Sequence, residues 1–314
     1  MKTFAEADPV FLAAGFENRS VVTELGAITY AAKQPEFWPA SAQSQSTLVF
    51  IHGFGGGSSS YEWSQVYPAF TADYRVLALD LPGWGSSDHP ARTYCVEDYR
   101  TAIAQFLQTL APQGARIIAS SLSAAIAVQV AVKHPELCQG LVLIAPAGLS
   151  DFGKDFRQGF LPQLLRVPLL DQALYQTAIA TPSGIRSFLT QRQFANADRV
   201  TDEMVSAYLA SATQPNAEYA ALSFIRGDLC FDLAEWLPQL TTPTAILWGQ
   251  ASQFTNVALG QQLAALNPEA IKHFEIIDDT GLTPQLEQPG TTIAMIRKAL
   301  RILAQDASLD SPES

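Results

Sequence analysis

Positive charge is scarce in this chain. Lys and Arg number 19 against 30 Asp and Glu, which leaves a net charge of −11. That balance excludes recognition of nucleic acid or of an anionic membrane by electrostatic attraction. Cysteine is nearly absent: Cys95, Cys138 and Cys230 are scattered, without the spacing of metal ligands or of a disulfide framework. So sparse a set predicts a reducing compartment and three small buried hydrophobes. Long apolar runs are missing too. Nothing approaches the roughly eighteen residues of a membrane helix. Phe11-Leu12-Ala13-Ala14 is too short for the core of a signal peptide. The expectation is a soluble, cytoplasmic protein with no transmembrane segment. Histidine is limited to His52, His89, His134 and His273, and no His/Cys/Asp cluster has metal-ligand spacing. A glycine-rich stretch, Gly53 to Gly57, lacks the register of a dinucleotide-binding turn. No metal and no cofactor are expected.

Apolar residues make up 48% of the 314 residues, enough for a sizeable core. Gly26 hinges two strand-like runs, Ser20–Leu25 and Ala27–Ala32. From residue 47 to 145, short apolar runs alternate with helical patterns. The runs are Thr47–Ile51, Tyr74–Asp80, Ala115–Ala119 and Gly140–Ala145. Segments 64–70 and 96–110 carry the helical patterns between them. That alternation predicts an α/β fold with a mostly parallel, doubly wound sheet. Between 150 and 240 prolines punctuate short helical runs, which reads as a helical lid. Strand character returns at 243–249 and 272–277, before a last amphipathic helix over 289–303. The expected organisation is a first core segment over 1–149 with its N-terminal hairpin, a cap over 150–240, a second core segment over 241–303, and a disordered acidic tail over 304–314.

The stretch Ala115–Ala131 reads as a buried strand, a sharp turn and an Ala-rich helix, with Ser121 at the turn. Such a turn exposes its serine at the top of a sheet. The flanking glycines of a G-x-S-x-G elbow are replaced by Ala119 and Ser123, both still small.

Four marks, in this order and spacing, resemble the α/β-hydrolase superfamily over roughly residues 20–303. They are His52-Gly53-Phe54-Gly55-Gly56, Asp80-Leu81-Pro82-Gly83-Trp84-Gly85-Ser86-Ser87, the Ser121 elbow, and Gly281-Leu282-Thr283-Pro284-Gln285-Leu286-Glu287-Gln288-Pro289. The Ser-Leu-Ser-Ala-Ala variant of the elbow has the look of the cyanobacterial and plastid branch. The resemblance implies Ser121 as the nucleophile position and the N–H groups of Phe54 and Leu122 as oxyanion donors. It implies that His52-Gly53 orders the oxyanion loop. It also implies a catalytic acid where this chain has Ser252 and a catalytic His where it has Leu282.

Two of three triad positions have therefore lost their chemistry. Removing the base of a serine triad costs roughly a millionfold in turnover. The oxyanion hole alone leaves about 10³–10⁴ over water. His89, expected at the pocket rim, is the candidate substitute base. Asp279 is expected beside the pocket, but a carboxylate pKa near 4 suits the task poorly. Asp151 stands at an alternative acid position with no His to orient. Pocket candidates are His52, Gly53, Trp84, His89 and Asp279, with Phe224 and Phe231 from the lid. The sequence thus points to a degenerate-triad homologue, a pseudoenzyme binding a small apolar or acyl-type ligand or a protein partner. The alternative is a serine hydrolase or acyl transferase, esterase-like, that uses Ser121 with a nonstandard base.

Overall fold

The computed structural model describes residues 11–38, 46–154 and 170–309. The lead-in before Phe11, the loop over 39–45, the lid segment 155–169 and the last residues 310–314 lie outside the described residues. Eight strands form one sheet: β1 Phe16–Thr23, β2 Gly26–Lys33, β3 Thr47–Ile51, β4 Arg75–Leu79, β5 Ala115–Ser120, β6 Cys138–Ile144, β7 Thr244–Gly249 and β8 Ile271–Ile277. Their spatial order is β1-β2-β4-β3-β5-β6-β7-β8. The hairpin β1–β2 joins β4 antiparallel, and every later pairing is parallel.

The central strands read as continuous apolar runs because both faces of the sheet are covered. Successive residues alternate between two cores. Val49, Ile51, Leu77, Leu79, Ile117, Leu141, Leu143 and Ile246 face one side, against α1 (Val96–Leu110) and α2 (Ser121–Lys133). Leu48, Phe50, Val76, Ile118, Val142, Ile144 and Leu247 face the other, against Ile296, Ala299, Leu300 and Leu303 of the C-terminal helix Pro289–Leu309. Leu122 through Ala131 are all buried, and the alanines among them let α2 lie close on the sheet.

Two expectations are corrected. In place of the helix foreseen over 64–70 there is a 3₁₀ turn, Tyr67–Phe70, with another, Ser60–Trp63, just before that segment. Pro68 supplies no N–H and breaks the α-helical ladder there. The C-terminal helix continues past Leu303 to Leu309, so residues 304–309 are helical, whereas a disordered tail was expected.

Between β6 and β7 the chain leaves the sheet. Its described part contains helices Leu170–Leu174, Pro182–Phe188, Asp202–Ala212 and Ala217–Ile225, with π-helical turns at Tyr175–Ile179 and Leu189–Gln193. Thr181 and Thr201 cap two of these helices through their side chains, accepting from the N–H groups of Gly184 and Met204. Among the described residues no helix is long and apolar enough to cross a membrane.

Candidate functional site

Strand β5 ends at Ser120, and α2 begins at once with Ser121. The turn leaves Ser121 with a φ of 57°, the left-handed region that non-glycine residues avoid. Gly53 passes so close that a Cβ on it would lie 3.4 Å from the Ser120 hydroxyl and 3.7 Å from the Ser121 Cβ. Ser123, one of the replaced glycines of the elbow, has a bond of its own. Its hydroxyl donates to the carbonyl of His52, tying the oxyanion loop to the elbow. The N–H of Leu122 lies in the first turn of α2, where a helix offers it no carbonyl partner.

His52 is fully buried and both ring nitrogens are engaged. Nε2 accepts from the Leu81 N–H at 3.0 Å, while Nδ1 lies 2.7 Å from the Gly53 carbonyl. Since the Leu81 amide can only donate, the proton sits on Nδ1. This imidazole orders the loop and has no nitrogen free for Ser121.

Glu62, which no sequence motif singled out, holds the same loop from below. One carboxylate oxygen accepts the Gly53 N–H at 2.9 Å; the other accepts the Tyr208 hydroxyl at 3.0 Å. Tyr208 belongs to the lid helix Asp202–Ala212, and its hydroxyl also reaches the Gln193 side-chain oxygen at 3.2 Å. Burial, followed by the charge of Glu62, holds the Tyr208 phenol well above its ordinary pKa. Lid and oxyanion loop are thereby joined through one buried carboxylate.

A second joint lies at the other wall. The Leu282 N–H donates to the Gln193 carbonyl at 2.7 Å. Glu287 accepts from the lid amides of Ala195 at 2.8 Å and Asn196 at 3.1 Å, and from the Gly281 N–H. Desolvation raises the Glu287 carboxyl above its ordinary pKa, against the opposing pull of those amides and of Arg199.

Beneath the lid is a small cavity lined by Gly53, Phe54, Ser120, Ser121, Ala147, Leu149, Phe188, Gln193, Phe224, Phe254, Thr255, Leu282 and Thr283. Its interior open to the centres of water-sized molecules is about 20 Å³, room for a water and little more. Gly53 and Phe54 meet Ser121 and Leu282 there. The 249–252 and 280–281 loops run side by side, since the Ala251 N–H donates to the Thr280 carbonyl at 2.9 Å. Ser252 is buried beside this contact, outside the cavity wall, with its hydroxyl unpartnered.

Four of the expected pocket residues are placed elsewhere. Trp84 stands behind the wall, edge to face with Phe54 and donating to the Tyr99 hydroxyl at 3.0 Å. His52 is sealed in as described. His89 lies in a separate groove with Glu24, Asp88 and Arg92, and burial lowers its pKa. Asp279 is exposed and paired with Arg199. Phe231 also stays out of the cavity wall, making an isolated β-bridge with Leu149. Asp151 is likewise committed: it accepts the Gly148 N–H at 3.0 Å and the Leu233 N–H at 2.9 Å, fastening the start of the lid to its end. Among the described residues no three His, Cys, Asp or Glu are grouped to hold a metal ion.

This architecture, with a serine at a strained strand-to-helix turn under a helical lid, defines a class. The chain belongs to the α/β hydrolase fold family, whose model matches residues 46–289. It is 26% identical over 275 residues to an uncharacterised protein of Mycobacterium bovis, covering 82% of this chain and 76% of that one. It is 28% identical over 237 residues to a 2-hydroxy-6-oxononadienedioate/2-hydroxy-6-oxononatrienedioate hydrolase of Paraburkholderia phymatum, covering 73% and 78%. Among solved structures it is similar to a bacterial membrane phospholipase A, with a TM-score of 0.72 and 24% identity over 93% of this chain and 87% of that one.

Proposed function

We propose that this chain is a hydrolase-fold protein that binds a small ligand beneath its lid without the proton-transfer pair of a serine hydrolase. One observation carries the reading: among the described residues, none lining the cavity at Ser121 has an acid or base side chain. Leu282 stands where the family resemblance calls for an imidazole. A serine hydroxyl without a base within hydrogen-bond reach is a weak nucleophile, and the missing base is worth roughly a millionfold. The nearest buried carboxylate of the oxyanion loop, Glu62, already accepts on both oxygens.

The second reading is an esterase-like hydrolase or acyl transferase with a nonstandard base. It rests on the retained φ of 57° at Ser121, since strained backbone persists where function holds it. A fluorophosphonate probe and a p-nitrophenyl ester separate the two. The binding reading expects no labelling of Ser121 from about pH 6 to 9, and ester turnover no faster in the wild type than in Ser121→Ala. Turnover at ordinary enzyme rates that Ser121→Ala abolishes would establish the second reading and remove the first.

A further inference from the structure

Three cavity-lining hydroxyls, those of Ser120, Thr255 and Thr283, are buried and have no hydrogen-bond partner. Their residues are 1%, 8% and 3% exposed. Buried hydroxyls are ordinarily satisfied by protein or water, so three orphans on one small cavity mark a place where something else supplies the partners. The chemistry around them is one-sided. Each hydroxyl brings an O–H in need of an acceptor. The Gln193 side-chain oxygen, the one side-chain amide acceptor among the described wall residues, lies 3.2 Å from the Tyr208 hydroxyl and bonds none of the three. Among the described wall residues there is no cation to balance an acidic ligand and no anion to balance a basic one. The remaining walls, Phe54, Phe224 and Leu282, are apolar.

Resting on the binding reading above, we propose that Ser120, Thr255 and Thr283 form a recognition site for the carbonyl oxygen of an uncharged ligand with a short apolar body. Phe188 of the lid and Phe254 after β7 both line the cavity, ring centres 6.2 Å apart and 40% of Phe254 exposed. A six-carbon ligand needs more room than the about 20 Å³ open to water-sized molecules, so the wall must yield on binding.

The probes are 2-hexanone and hexanoate, equal in carbon number, measured by protein-observed NMR at pH 8. The ketone has no bond to hydrolyse, so its binding is read whether or not Ser121 is reactive. Ester turnover that depends on Ser121 would remove the binding reading and leave this assignment standing. The expected result is binding of 2-hexanone with hexanoate weaker by roughly tenfold or more, the cost of burying an unpaired carboxylate. The isosteric Thr255→Val/Thr283→Val variant is expected to weaken 2-hexanone by about fivefold or more, the loss of a satisfied hydrogen bond. The same variant is expected to melt about 1–3 °C higher when empty, because it removes orphaned hydroxyls without changing shape. Hexanoate binding as tightly as the ketone would overturn the assignment. So would a double valine variant that binds the ketone unchanged, or one that melts lower.

Discussion

A serine held at φ 57° is under a strain that most side chains avoid. Ser121 keeps that conformation because Ser120 is still paired in β5 and Leu122 is already packed in α2. Glycine relieves the steric cost at such a position and gives back part of the gain in chain entropy. Ser121→Gly is therefore expected to stabilise the protein by about 1 kcal/mol, read as a rise of about 2 °C in thermal unfolding. A fall in melting temperature would mean that the Ser121 hydroxyl contributes more to the empty protein than its backbone costs. The elbow was legible from the sequence because its signal is local: a buried strand, small residues, an Ala-rich helix. Glu62 was not. Its neighbours Tyr61 and Trp63 suggest nothing about a carboxylate, and its two partners, Gly53 and Tyr208, come from segments 9 and 146 residues away.

At the scale of elements, the lid is held at narrow crossings. Gly281 is one of them. A Cβ there would sit 2.2 Å from the Gln193 carbonyl, which receives the Leu282 N–H. Gly281→Ala must push the lid turn Leu189–Gln193 off this contact and release the amides bound by Glu287. A loss of about 2–4 kcal/mol of stability is expected, with faster proteolysis confined to the lid. Unchanged protease resistance would show that the lid is held elsewhere. The parallel strands were readable because their apolar runs are short and uninterrupted. The segment 64–70 was misread as a helix because Pro68 interrupts the hydrogen-bond ladder there, leaving the 3₁₀ turn Tyr67–Phe70. The positions of His89 and Asp279 were misplaced for a different reason. Sequence puts each at the carboxyl end of a strand, but it does not say which side of the loop the side chain takes. Asp279 turns outward to Arg199, and His89 falls into the groove beside Gly26.

For the whole molecule, two of the buried carboxyls that fasten the lid, Glu287 and Asp151, have raised folded pKa values. Desolvation is the largest cause for both Glu287 and Asp151, outweighing the backbone amides that favour the ionised forms. A raised acid binds its proton more tightly in the folded state. Its contribution to stability is complete below the ordinary values, 4.5 for Glu and 3.8 for Asp. It is lost as pH rises through the raised folded values. Each tenfold gain in proton affinity on folding is worth about 1.4 kcal/mol. Exposed, ion-paired carboxylates act in the opposite sense, so the total pH profile hides this effect. A comparison with Glu287→Gln/Asp151→Asn isolates it. From pH 4.5 upward, wild-type stability is expected to fall relative to the variant, until both carboxyls are ionised and the gap becomes constant. Thermal unfolding of the two proteins in parallel across that range reads the gap directly. A gap that moves the other way would mean that the amides of Ala195, Asn196, Gly281, Gly148 and Leu233 outweigh burial. The lid would then be tightest in neutral solution, not under mild acid.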